Sequence, residues 1–436
     1  MSVETVKEKS IKNMPGQMPL WQKRTIKVIG ILMAIVGLPV GVASLCVGLL
    51  SIIDGSTGQG LAVLLFGLLA FGGGLLTAYH ANASIDKRPS KPLKLPKEWV
   101  LVGAFVLLVY LGVLISPVGD DGVVFAPVLI VLALLPPTWA MAWFRRNQPD
   151  TLTARRGIVA LIGGATVSVL FALLLEVLFP TIILSLVYEL YGSVLVSVRT
   201  LLRELAWREI ARALTSPGFI FAFVHLAIVA PLAEELAKPL VTLPVIGYLS
   251  KREAFLVGAM AGIGFAAVEN VLYAGFGFSF WAGILVVRAL GGAIHPLGSG
   301  LVAAGWQGVL RREKDALRKW LSYFGLAVGI HALWNGGSLL VITLAGAQFF
   351  GDLPPEIDVL GLSAGGTTLA FLIVLGLAAL WLGEAIFKTE GSDSERDADV
   401  MEELFMVSDR AMAIWAFACL VAFVPAGIAG LQLILR

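Results

Sequence analysis

The sequence predicts an all-α fold: a polytopic bundle of transmembrane helices with its N-terminus on the cytoplasmic side. Three observations carry that expectation. Of the 436 residues, 58% are hydrophobic and only 14% are charged, whereas a soluble domain carries roughly a quarter charged residues. Apolar runs of about 20 residues, each long enough to cross a hydrocarbon core of roughly 30 Å, recur along the whole length. Most of the 32 lysines and arginines fall in the loops that an inside N-terminus leaves in the cytoplasm, the bias that orients membrane helices.

In chain order, residues 1–25 are polar and basic and read as a cytoplasmic tail. The first apolar run, 26–53, is too long for the core of a cleaved signal peptide, so it is expected to stay as an anchor. Runs 60–79, 99–116, 122–144 and 157–180 complete a five-span N-terminal region, 26–180. Its inner loops hold Lys87, Arg88, Lys91, Lys94 and Lys97, then Arg145, Arg146, Arg155 and Arg156. Residues 181–216 form an outer segment. There Arg199, Arg203, Arg208 and Arg212, with Glu204 and Glu209, lie opposite Val198, Leu202, Leu205, Ile210 and Leu214, the pattern of an amphipathic helix lying in the interface. Counting 181–198 as another crossing would move the loops of Lys251 and Arg311 outside, against the charge bias.

Runs 217–249, 253–275, 279–307 and 320–348 form a four-span core, 217–348, with Arg311, Arg312, Lys314, Arg318 and Lys319 on an inner loop. Runs 366–386 and 411–435 end the chain within a region 349–436. Between them the polar, acidic stretch 388–410 ("KTEGSDSERDADVMEELFMVSDR") reads as a solvated cytoplasmic linker. The total is about eleven spans. The net charge of +2 describes topology, so the partner is the lipid bilayer of a plasma membrane and no nucleic acid is implied. Cys46 and Cys419 both lie in spans, which argues against a disulfide framework.

The core carries polar residues that a span does not tolerate without a reason. A charge at mid-bilayer costs about 2.5 to 3.5 kcal/mol on insertion scales, yet "APLAEELAKPL" puts Glu234, Glu235 and Lys238 within five residues. Glu234 and Lys238 are four apart and can pair along one helix face, while Glu235 points about 100° away. Pro231 and Pro239 bracket the group, so backbone polar groups are expected to be freed to line a cavity. The next span holds Phe265, Glu269 and Asn270 in "GFAAVENVLY", the third holds Arg288 and His295 in "RALGGAIHPLGSG", and the fourth holds His331 and Asn335 in "GIHALWNGGS". Counted from the cytoplasmic ends of their helices, Glu234, Glu235, Glu269, His295 and His331 lie about 18 to 25 Å deep at 1.5 Å per residue. They share a level. Glycines such as Gly258, Gly262, Gly291, Gly292 and Gly336 would let the helices approach closely.

Hydrolysing a peptide bond in a membrane needs a water, a base and donors for the oxyanion. Glu234 or Glu235 is the candidate base; His331 and Asn335 can donate to the oxyanion, and His295 with Glu269 can position the water. Arg288 reads as a counter-ion, and His225, His80 and Glu176 as packing or interfacial residues. No HExxH motif is present, and "PLGSG" around Ser299 has Leu297 where a rhomboid-type motif has glycine. The carboxylate and imidazole set also suits a divalent metal. Midplane glutamates and broken helices equally suit an ion-coupled transporter, and a non-catalytic membrane scaffold is a further alternative.

The ordered motifs EExxK (Glu234, Glu235, Lys238), FxxxE (Phe265, Glu269), a histidine in the following helix (His295) and HxxWN (His331, Trp334, Asn335) resemble the PrsW family of intramembrane proteases. That family is related to the CAAX prenyl proteases and to bacteriocin-processing membrane proteins. The resemblance covers roughly residues 217–345. FxxxE in place of FxxxH, and lysine where the CAAX branch has arginine, favour the PrsW branch. The resemblance implies a glutamic-type peptidase without a cofactor, acting on single-span membrane proteins such as anti-sigma factors. Members of the group have also been described as metal-dependent; on that reading Glu235, Glu269, His295 and His331 would hold a divalent ion such as zinc.

Overall fold

The computed structural model describes residues 41–86, 88, 90–115, 125–146, 152–176, 178–179, 217–247, 249–276, 278–349, 358–359, 362–389, 414 and 417. The cytoplasmic tail, the start of the first span, the amphipathic segment within 181–216, the acidic linker and the last span with Cys419 lie outside the described residues, Ile414 and Phe417 apart.

Among the described residues the fold is helical. In chain order the helices are α1 (Gly41–Ile53), α2 (Thr57–Ile85), α3 (Glu98–Ile115), α4 (Phe125–Arg145), α5 (Ala154–Gly163), α6 (Pro217–Val224), α7 (Ala230–Ala237), α8 (Leu243–Ile246), α9 (Lys251–Phe276), α10 (Trp281–Leu290), α11 (Ile294–Leu310), α12 (Ala316–Phe349) and α13 (Ala364–Thr389). A two-residue antiparallel ladder, β1 (Asp358–Val359) on β2 (Leu362–Ser363), pairs Asp358 with Ser363 just before α13.

Among the described residues seven helices are long and apolar enough to cross a membrane, or up to eight if the bent pair α10 and α11 counts as one span. The chain is therefore a multi-pass membrane protein. α3 is peripheral: Val106, Leu107, Tyr110 and Leu114 stay exposed along it, a continuous apolar surface that lipid, not water, can cover. α9 is the axis of the bundle, with 83% of its span buried and α2, α4, α5 and α11 packed around it. Close approach depends on small residues. A Cβ on Gly262 of α9 would strike the His295 carbonyl of α11 and stand 2.7 Å from Ser299 Oγ, so glycine lets these two backbones touch.

The helix ends near residues 146, 156 and 253 are tied by charge. Ser250 and Glu253 form a reciprocal cap at the start of α9, the Ser250 amide donating to Glu253 Oε2 at 3.1 Å and the Glu253 amide to Ser250 Oγ at 3.3 Å. Arg156 of α5 donates to Glu253 Oε1 at 2.9 Å, both side chains being buried. Arg146, at the end of α4, grips Glu384 of α13 with two bonds of 3.2 and 2.6 Å.

Three spans expected as single helices are irregular. The span Ala154–Glu176 passes out of α5 through a π-helical turn, Gly164–Ser168. The span Gly218–Ile246 passes from α6 through a π-helical turn, His225–Val229, into α7, then through a 3₁₀ turn, Leu240–Thr242, into α8. Pro231 lies where the helix runs unbroken from the π turn into α7, so its missing N–H leaves a carbonyl of the preceding turn without an intrahelical donor, and Pro239 follows the end of α7. The span 279–307 is likewise broken: α10 and α11 meet at about Gly291–Ala293, bent by 40°.

Candidate active site

α7 and α12, with the α10–α11 break, bring the site together around α9. Pro239 and the π turn hold α7 to little more than two turns, long enough to place Glu234, Glu235 and Lys238 at successive contacts with α11 and α12. The bend at Gly291 and Gly292 starts α11 one residue before His295, so the imidazole enters the bundle at a helix start. Gly298, one turn further along α11, lies against the Glu235 carboxylate; a Cβ there would overlap Glu235 Oε2.

The side chains form one connected buried network. Lys238 Nζ donates to Glu235 Oε1 at 2.7 Å and to His295 Nδ1 at 2.7 Å. It also stands 2.9 Å from Glu234 Oε2, within ion-pair range but off the hydrogen-bond direction, so that oxygen has no hydrogen-bond partner. His331 Nδ1 meets Glu235 Oε1 at 2.9 Å, and His295 Nε2 meets Glu269 Oε2 at 2.9 Å. Arg288 donates to the same Glu269 oxygen at 2.6 Å and to Asn270 Oδ1 at 2.6 Å, while the Asn270 amide donates to the Ala133 carbonyl of α4 at 3.0 Å. The two histidine rings meet edge to face, 4.9 Å apart, and Phe265 packs against His295 at 5.9 Å and under Lys238 Nζ at 4.6 Å.

The tautomers follow from the partners. An ionised carboxylate only accepts, so the proton of His331 lies on Nδ1, toward Glu235, and that of His295 on Nε2, toward Glu269. The ring atoms left facing inward, His331 Nε2 and His295 Nδ1, present lone pairs. His331 Nε2 is buried, has no partner and lies 3.8 Å from Glu234 Oε2; His295 Nδ1 lies 3.9 Å from the same oxygen. These three acceptor atoms all lie within 4.8 Å of one another. Three converging acceptors make a receptor for a cation, a place that the Lys238 ammonium partly takes, and two imidazoles with one carboxylate are a zinc-type donor set. The residues therefore fit a divalent metal.

The structure gathers Glu234, Glu235, Lys238, Phe265, Glu269, Asn270, Arg288, His295 and His331 into this network. It distributes the expected metal ligands differently. Glu235 and Glu269 bond the outward ring nitrogens, the arrangement in which a carboxylate orients a ligating histidine, and Glu234 takes the inner place. Asn335 stands apart from the expected oxyanion role: its amide donates to the Leu226 carbonyl at 2.9 Å, within the π turn. Such a turn disturbs the regular backbone ladder, and an asparagine of a neighbouring helix supplies a donor there. Gly298 escaped the sequence reading, although a glycine three residues from a polar core histidine was a readable sign of close approach. His225 lies 4.0 Å from Glu176 and stacks on Phe221, and His80 is buried on α2.

Comparison with known families agrees with this geometry. Residues 154–354 match the PrsW family, described as PrsW family intramembrane metalloprotease. Residues 154–354 are thus similar to an intramembrane protease region. The PrsW match begins at the first residue of α5, so it takes in one span more than the four-span core 217–348 and every residue of the network except Ala133. Comparison with curated proteins and with solved structures gives no match.

Proposed function

We propose that the chain is a metal-dependent intramembrane peptidase that cleaves single-span membrane proteins, with membrane-bound regulators such as anti-sigma factors as the substrate class. The observation that carries this reading is the convergence of Glu234 Oε2, His295 Nδ1 and His331 Nε2 on one buried point. Bound there by those three residues, an ion such as zinc would supply Lewis-acid polarisation of water and of the scissile carbonyl. The protein's part is orientation. Glu235 holds the proton on His331 Nδ1, and Glu269, itself gripped by Arg288, holds the proton on His295 Nε2, so both inward lone pairs are preserved. Burial of the cluster keeps bulk water away and strengthens each of these interactions.

A second reading is favoured by the Lys238 ammonium at 2.7 Å from His295 Nδ1. With that lysine as the resident cation, Glu234 takes the proton of the attacking water directly, as a glutamic peptidase would. The experiment is cleavage of a panel of single-span substrates in liposomes by wild type, Glu234→Gln and Glu235→Gln, with and without a strong chelator. Wild type is expected to cleave, Glu234→Gln to lose at least about 100-fold, and chelation to abolish the reaction. Cleavage that survives chelation yet is lost in Glu234→Gln would replace the metal with the glutamic mechanism. Absence of cleavage across the panel would turn the site toward ion-coupled transport.

A further inference from the structure

The position of Lys238 bears on how the site takes a cation at all. Its side chain is fully buried, and its ammonium lies 2.7 Å from Glu235 Oε1, 2.7 Å from His295 Nδ1 and 2.9 Å from Glu234 Oε2. Two of these three atoms belong to the triad that would hold a metal. The ring of Phe265 covers the ammonium on another side at 4.6 Å, a favourable seat for a cation. A metal ion coordinated by Glu234 and His295 must lie about 2.0 to 2.2 Å from each donor atom. That puts it within bonding distance of the space the ammonium fills, where two positive centres repel and overlap.

We propose that Lys238 is an internal competitor for the metal: its ammonium and a divalent ion are mutually exclusive occupants of the Glu234–His295 side of the site. The lysine thereby sets the affinity and selectivity of the centre. While it is seated, the buried carboxylates keep a counter-charge and the metal-free protein stays folded; a metal enters only from the fraction of molecules in which the lysine has withdrawn. Apparent affinity falls in proportion to that fraction. His331 Nε2, which the lysine does not reach, is the donor through which an incoming ion would make first contact. This inference rests on the metal-dependent reading above, but it concerns occupancy and not turnover.

The test is zinc binding to the purified full-length protein in detergent, by competition with a chromogenic chelator, for wild type, Lys238→Met and Lys238→Gln. Size-exclusion profile and thermal unfolding establish that each variant is folded. Both variants are expected to bind zinc at least about 10-fold more tightly than wild type, and adding Glu234→Gln to Lys238→Met is expected to remove the gain. Zinc affinity equal to or weaker than wild type in both folded variants would overturn the proposal while leaving the metal-dependent reading intact. No zinc binding by any of the three proteins would sink both.

Discussion

At the scale of single residues, the site depends on which side chains hold others in place. Glu235 makes its bonds with one carboxylate oxygen, to Lys238 and His331, while its second oxygen lies against Gly298 without a hydrogen-bond partner. Gly298→Ala adds a methyl group that overlaps that oxygen. The carboxylate is pinned on its other side, so we expect overpacking of about 1 to 3 kcal/mol and a large loss of cleavage, read as lower thermal stability and lower kcat together. Asn335 gives the opposite signature. Asn335→Ala strips the Leu226 carbonyl of its donor, at a cost of about 1 kcal/mol in a membrane interior, with kcat falling by less than about 10-fold. A drop of about 100-fold or more in kcat with unchanged stability would restore the oxyanion role that the sequence suggested. Counting residues along helices put Glu234, Glu235, Glu269, His295 and His331 at one level, and the structure joins them in one network. The sequence did not reveal which nitrogen of each imidazole faces inward, because that depends on partners brought from other helices.

At the scale of elements, two of the spans that carry the site are irregular. α7 is short because a π turn precedes it and Pro239 follows it, and α11 is set at 40° to α10. The prolines and the Gly291–Gly292 pair made a break readable in the sequence. Pro231, just beyond "HLAIV", made a disturbed turn readable, but the π form over His225–Val229 was not, since the donor that serves its Leu226 carbonyl comes from Asn335, more than a hundred residues away. The regular elements depend on their ends. Glu253 caps α9 and pairs with the buried Arg156, so Glu253→Gln removes the carboxylate of that pair. Breaking a buried pair in this way costs about 3 to 5 kcal/mol. The expected outcome is a thermal midpoint lower by several degrees, with zinc affinity unchanged because the pair is remote from the triad. A variant as stable as wild type would show that the pair contributes nothing.

At the scale of the whole molecule, hydropathy made the multi-pass bundle legible from composition alone: of about eleven expected spans, the described residues hold seven candidates, or eight with the bent pair, and α12 in the place of 320–348 is not among them. Those spans are not equivalent. α3 faces lipid along most of its length, whereas α9 is enclosed by other helices, a distinction hydropathy cannot make because a lipid-facing and a buried helix are equally apolar. Polar residues discriminate better: charges survive in this bundle where helices converge, and their convergence at Glu234, His295 and His331 defines the account's central claim. Its most direct measurement is cleavage of a single-span substrate in liposomes by wild type and His331→Ala, after metal removal by chelation and again after zinc is restored. The account predicts that chelated wild type is inactive and recovers with zinc, and that His331→Ala stays inactive throughout. Full cleavage by the metal-stripped wild type, or by His331→Ala, would contradict it.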